Sequence, residues 1–142
     1  MLMRQVFTAA ALLVLCCAAR ATAGKSVDTR LAEAQQAFDE GTRLKQAGKY
    51  AEAMALTERA LALREAVLGG THPEVASCLD LLGDVHRRLG GGERAVPLLE
   101  RALAIRETAL GKHHPDVATS LHSLGTLFYV QGLYARAEPL FE

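Results

Sequence analysis

Few side chains of this sequence could carry out chemistry, and the histidines are the first to consider. His72, His113 and His114 are metal ligands by type, and the two segments that hold them are 42 positions apart. A metal site needs several ligands at recognisable spacing, and no carboxylate or thiolate completes such a set here. Each segment leads directly into a proline. We therefore expect loop residues beside helix starts, and no metal site.

Covalent catalysis has no better support. Cys78 lies on an apolar segment, His86 lies near Asp84, and no nucleophile motif accompanies them. The sequence has no phosphate-binding loop and no Gly-x-Ser-x-Gly motif. We predict that Cys78 is a small packing residue. We also predict that the chain is not an enzyme and uses no cofactor; catalysis would need a domain outside these residues.

Residues 1–23 have the three parts of a secretory signal peptide. Arg4 precedes an apolar run from Val6 to Ala19, and Ala21-Thr22-Ala23 forms a small-x-small cleavage pattern. We expect cleavage after Ala23 and a secreted or periplasmic protein. The apolar run is shorter than the roughly 20 residues of a membrane-spanning helix. No stable membrane span is therefore expected after cleavage, although an uncleaved anchor and a lipidated leader cysteine are alternatives.

Charge and composition narrow the class of partner. Removal of the leader takes away Arg4, Arg20 and no acid, which leaves 14 basic against 16 acidic residues. A net charge near −2 gives no electrostatic footprint for nucleic acid. Cys78 is then the one remaining thiol, so no intramolecular disulfide can form. The apolar residues are mostly Ala and Leu, which favours packed helices over strands.

An internal repeat positions all of these residues. The segment RALALREAVLGGTHPEVA, residues 59–76, recurs as RALAIRETALGKHHPDVA, residues 101–118. Each copy predicts two helices joined by a glycine turn, as in Pro73 to Leu89 followed by Glu93 to Leu110. Hairpins of this kind bury their apolar faces by stacking on one another. Small residues keep one register across three copies: Gly41, Gly83 and Gly125; Gly48, Gly90 and Gly132; Ala53, Ala95 and Ala137.

The motif within each copy resembles the tetratricopeptide repeat. It is carried in the second copy by Leu82-Gly83, Ala95, Leu99 and Ala102, and in the third by Leu124-Gly125, Phe128, Gly132, Tyr134, Ala137 and Phe141. The period of 42 exceeds the basic 34 and is similar to that of kinesin light chain repeats. The resemblance implies an all-α superhelix of about two and a half helix-turn-helix repeats. The predicted organisation is a leader at 1–23, a linker at 24–30, and repeats at 31–72, 73–114 and 115–142, the last incomplete.

The resemblance also implies a binding face, because the first helices of such repeats line a concave surface that holds peptides. A carboxylate clamp is not expected, since Phe38, Thr42, Asp84, Thr119 and Ser123 occupy its places. The paired asparagines of kinesin light chain repeats are also missing, and Asp80 and His122 stand there instead. The predicted peptide-binding residues are Gln35, Phe38, Thr42, Lys45, Ser77, Asp80, Asp84, Arg87, Arg88, Thr119, His122, Thr126 and Tyr129.

Three functions are consistent with this organisation. The first is an exported, non-catalytic scaffold that binds a protein or peptide of unknown identity. The second is the N-terminal recognition portion of a larger, enzymatic effector. The third is a structural array that associates with itself through its C-terminal edge, where Leu140 and Phe141 are expected to lack cover.

Overall fold

The computed structural model describes residues 24–142, so the predicted leader, residues 1–23, lies outside the described residues. The described chain is helical and contains no strand. The elements are α1 (Val27–Gln46), α2 (Tyr50–Leu68), α3 (Pro73–Arg88), α4 (Gly92–Leu110), α5 (Pro115–Val130), α6 (Tyr134–Ala137) and a 3-10 turn, Glu138–Leu140. The all-α class and the three helical pairs of the sequence prediction are confirmed.

Helix α1 begins at Val27, four positions before residue 31, where the predicted array begins. Ser26 explains the difference, because its hydroxyl accepts a hydrogen bond from the N–H of Thr29 and caps the helix. Ser26 is a cap residue by type, so the sequence carried this signal. The division into a linker and an array stays a prediction.

Histidine caps begin the first helices of the second and third copies. The Nδ1 atom of His72 accepts a hydrogen bond from the N–H of Glu74, and His114 does the same for Asp116. The proline after each histidine occupies the first helical turn, where no N–H is needed. Two of the three histidines considered as metal ligands are therefore helix caps.

The turns are set by glycines with a left-handed backbone. Gly48, Gly90 and Gly132 follow the first helices with φ of 77°, 79° and 76°. Gly69 and Gly111 end α2 and α4 with φ of 87° and 85°. Residues with a Cβ atom rarely adopt these angles, so glycine fixes where each helix stops.

The hairpins stack in chain order and the stack is curved. Each helix pair packs internally, and α2 contacts α3 as α4 contacts α5. The backbones of the first helices also approach one another, α1 to α3 and α3 to α5, whereas the backbones of α2 and α4 do not, and these two helices meet through the side chains of Glu65 and Arg101. The stack of hairpins therefore curves toward α1, α3 and α5, and we call this side the concave face.

Close contact within each hairpin depends on the aligned glycines. A Cβ atom at Gly83 would lie 2.7 Å from Leu99 Cγ, and one at Gly125 would lie 2.8 Å from the Phe141 ring. Glycine at these positions therefore allows the two helices of a hairpin to approach closely. Cys78 is fully buried in the core between the first two copies, as predicted for a packing residue. Burial raises the pKa of its thiol, and the nearby Arg64 offsets part of this increase.

The third copy departs from the predicted helix near its end. Helix α6 is one turn long and passes into the 3-10 turn that contains Pro139, whereas Pro97 lies inside an unbroken α4. Leu140 is partly buried against the core, so the expectation that it lacks cover is wrong. Phe141 packs on His122 with 5.5 Å between ring centroids, yet it is 49% exposed.

Candidate peptide-binding groove

The concave face contains an open cavity of about 560 Å³ that lies along its middle, which we call the groove. Volumes of this order are typical of ligand sites. Side chains from all three first helices line it, with two contributions from α4. The lining residues are Phe38, Thr42 and Lys45; Ser77, Asp80, Leu81, Asp84 and Arg87; Leu99 and Arg106; and Thr119, His122, Ser123 and Thr126.

Ten of the thirteen predicted binding residues line the groove, and three do not. Gln35 is occupied within the fold, since its side-chain oxygen accepts a 2.7 Å hydrogen bond from Arg64. Arg88 follows the lining residue Arg87 and is half-exposed. Tyr129 is 60% exposed and packs edge-to-face on Tyr134, away from the groove. Whether the other ten bind a peptide stays a prediction.

Three cations surround one carboxylate in the N-terminal half of the groove. Lys45 Nζ lies 3.1 Å from Asp84 Oδ2, Arg87 bonds Oδ1, and Arg88 Nε lies 3.9 Å from Oδ1. Burial by itself would raise the pKa of Asp84, but the hydrogen bonds from Arg87 and Lys45 together outweigh it and the pKa is lowered. Lys45 comes from α1 and Asp84 from α3, so this cluster also ties the first two copies together.

A buried ion pair forms the floor of the C-terminal half. The Arg106 guanidinium, from α4, donates to Asp80 Oδ2 and to the Ser120 hydroxyl. Burial raises the pKa of Asp80, and Arg106 partly opposes this effect. Within the described residues, Asp80 Oδ1 is buried and has no hydrogen-bond partner. Arg106 therefore holds the floor of the groove in place, but one buried carboxylate oxygen of Asp80 lacks a hydrogen-bond partner.

Sequence reasoning missed the arginines that reach from the second helices toward this face. Arg64 and Arg106 are 3% and 7% exposed and occupy the same place in successive copies. Arg64 donates to Gln35 and to Cys78, so it spans α1 and α3 as Arg106 spans α3 and α5. The sequence does show that both arginines occupy the same position of the repeated segments RALALRE and RALAIRE. A charged residue repeated at one position of a packed helix can indicate a side-chain partner within the fold.

Several hydroxyl groups of the groove donate hydrogen bonds within their own helices. Thr42 donates to the Phe38 carbonyl, Thr119 to Pro115 and Ser123 to Thr119, each four residues earlier in its own helix. Their oxygens still have free lone pairs toward the groove. This surface can therefore accept hydrogen bonds from the N–H groups of an extended chain.

Residues 24–142 contain neither a cluster of metal-ligand side chains nor a membrane-spanning helix. No group of three or more His, Cys, Asp or Glu side chains in this range could hold a metal ion. No helix in the same range combines the length and hydropathy that crossing a bilayer requires.

A family model for the tetratricopeptide repeat matches residues 42–108 and again residues 82–142. The chain belongs to the tetratricopeptide repeat family. Proteins of this family are in general protein–protein interaction scaffolds without catalytic activity.

Solved tetratricopeptide structures resemble this array closely. Repeats of a protein assigned as a kinesin light chain of Podospora anserina align with a TM-score of 0.67 and 27% identity, over 75% of this chain and 50% of that one. BtubC (BKLC) of P. vanneervenii aligns with a TM-score of 0.69 and 28% identity, over 75% and 43%. This chain therefore spans half or less of the length of these relatives. The resemblance to kinesin light chain repeats is confirmed.

A more distant structure shows the fold alone. The tetratricopeptide domain of Arabidopsis FLU aligns with a TM-score of 0.69 and 16% identity, over 79% of this chain and 91% of that one. No curated protein matches the chain in sequence.

Proposed function

We propose that this tetratricopeptide array binds an extended segment of a partner protein in the groove, and that it does so without chemistry. The observation that carries the proposal is the groove itself, an open cavity of about 560 Å³ to which α1, α3 and α5 each contribute side chains. Its cations can meet acidic groups of a partner, and its hydroxyl and carboxylate oxygens can accept main-chain N–H groups. The partner is a protein or peptide, not a nucleic acid, because the chain lacks a net positive charge.

Affinity capture with charge-matched variants tests this function. The groove variant is Arg87→Ala with Arg88→Ala, and the control is Lys49→Ala with Arg59→Ala, two cations that are mostly exposed outside the groove. Lys45 still pairs with Asp84 in the groove variant, so the melting temperature should change little. Recovery of partners should fall by about tenfold, or about 1.4 kcal/mol, with the groove variant. Equal recovery of the same partners by both variants would show that the groove is not the binding surface.

The proposed function includes export. The pattern of residues 1–23 supports a leader that is cleaved after Ala23, with the array acting in the periplasm or outside the cell. N-terminal sequencing of the protein from its native host tests this point. A mature chain that begins at Gly24 would support export, and an intact Met1 would contradict cleavage.

Self-association is a second candidate function, because of the apolar side chains at the C-terminal edge. Tyr129, Val130 and Tyr134 are each at least 60% exposed, and Phe141 is 49% exposed. Exposed apolar patches of this kind are characteristic of interfaces. Light scattering over a range of concentrations tests it. A monomer at the highest concentration would exclude this function.

A further inference from the structure

The second copy differs from its neighbours at the residue that begins its second helix. Tyr50 occupies this place in the first copy and Tyr134 in the third, whereas the second copy has Gly92. The position is otherwise equivalent, because each of the three follows a turn with a left-handed glycine. The second copy therefore has the same backbone without the aromatic ring.

A side chain at position 92 would point toward the next repeat. A Cβ atom on Gly92 would lie against the side-chain amide of Gln131, 3.4 Å from its Cδ. Gln131 is exposed and follows the last residue of α5. A ring at position 92 would thus enter the space between the α3–α4 turn and the C-terminal end of α5.

That space is an open cleft of about 380 Å³, within the range of small-ligand sites. Its apolar wall is formed by Leu127, which is 1% exposed, and Val130, which is 64% exposed. Arg87, Arg94, Glu93 and Gln131 supply the polar part of the lining, and Gly90, Gly91 and Gly92 complete it. An apolar wall with cations beside it suits a flat aromatic ring, whose faces attract guanidinium groups.

The charges and polar groups of the cleft also distinguish among possible occupants. The cleft has two arginines against one carboxylate, Glu93, so its charge disfavours a basic side chain, and an aliphatic side chain could not hydrogen-bond the exposed amide of Gln131. A phenol ring covers the apolar wall and presents a hydroxyl that can bond an amide. We infer that this cleft binds the side chain of a tyrosine from a partner protein, replacing the ring that the second copy lacks.

The cleft adjoins the groove, since Arg87 lines both cavities. An extended segment in the groove could therefore place a tyrosine in the cleft. The inference does not depend on the proposed function, because the cleft can be tested with a small molecule. Failure of one leaves the other intact.

The test uses p-cresol, which has the structure of a tyrosine side chain, titrated into the full chain and followed by NMR. We expect shifts at the Val130 methyl groups and the Gln131 side-chain amide. Gly92→Tyr should weaken p-cresol binding at least tenfold, because its own ring fills the cleft. The matched control Gly92→Ala should change binding less than threefold, because Gln131 has a flexible side chain that can move aside.

Two further measurements keep the inference falsifiable. Val130→Glu alters the wall at an exposed site and should abolish p-cresol binding even if Gly92→Tyr folds poorly. The aliphatic alcohol 3-methylbutan-1-ol should bind at least tenfold more weakly than p-cresol. The inference is wrong if p-cresol shifts neither Val130 nor Gln131, if Gly92→Tyr binds it as the wild type does, or if the two probes bind equally.

Discussion

Gly83 is the position where adding one carbon atom tests the packing most sharply. A Cβ atom there would lie 2.7 Å from both Cγ and Cδ2 of Leu99. Carbon atoms in contact prefer about 3.5–4.0 Å, so about 1 Å of movement is needed. Leu99 is 2% exposed and packs in one cluster with Leu124 and Phe128, which leaves it little room to move. Gly83→Ala therefore overpacks the contact between α3 and α4.

The size of the effect follows from two opposing contributions. Overpacking a core costs about 1–3 kcal/mol. Alanine in place of glycine within a helix returns about 1 kcal/mol. We therefore expect Gly83→Ala to lower the free energy of unfolding by up to about 2 kcal/mol.

Gly125→Ala is the matched control, because it is the same position in the third copy. Its Cβ atom would meet the Phe141 ring at 2.8 Å and Leu140 Cβ at 3.3 Å. Phe141 is 49% exposed at the edge of the array, so its ring and the terminal turn can move aside. The stabilisation from the higher helix propensity of alanine should then remain. This variant should be neutral or up to about 1 kcal/mol more stable than the wild type.

Urea unfolding followed by circular dichroism measures both variants. Adding Leu99→Ala should remove the clash, so Gly83→Ala should cost less in that background, with a coupling energy of about 1 kcal/mol or more. A Gly83→Ala variant that is more stable than the wild type, or a Gly125→Ala variant that is the less stable of the two, would refute this packing.

The remaining predictions concern buried polar groups. Leu82→Asp places an unpaired carboxylate at a site that is 3% exposed and should cost several kcal/mol; an unchanged melting temperature would contradict this. Arg106→Met strands the carboxylate of Asp80 and should cost about 3–5 kcal/mol in urea unfolding, most of which Asp80→Leu should restore; a loss below about 1 kcal/mol would show that the pair is not needed. The pKa of Asp84 is lowered in the fold, so its ionised form stabilises the protein above the unfolded pKa of about 3.9, and this contribution is lost as pH falls through the lower folded value. Asp84→Asn should therefore reduce the fall of the urea midpoint of unfolding at acid pH. An unchanged fall would refute the assignment to Asp84.

The helix boundaries could be predicted because they depend on local chemistry repeated in one register. A histidine followed by proline begins a helix, and a left-handed glycine ends one, in each copy where they occur. The first copy has Ser26 as a cap and no His-Pro pair, so α1 begins four positions before residue 31, where the array was predicted to begin. The 3-10 turn after α6 was not predicted, and it lies where no following helix packs on α6 within the described residues.

The groove could be predicted only in part, because periodicity assigns a face but not a partner. Lys45, Asp84 and Arg87 line the groove, since first-helix positions point to one side, and their role in binding stays a prediction. Arg106 was missed, because an arginine on a second helix is usually solvent-exposed. Its burial depends on Asp80 and Ser120, which are distant in sequence and come close only when the hairpins stack.

Site-specific photo-cross-linking tests the central claim, that partners bind on the concave face, most directly. Benzoylphenylalanine would be placed at Thr126 in the groove and, as a control, at Ala104, an exposed position on α4. A partner protein should be cross-linked from Thr126 and not from Ala104. Cross-linking from Ala104 alone would contradict it.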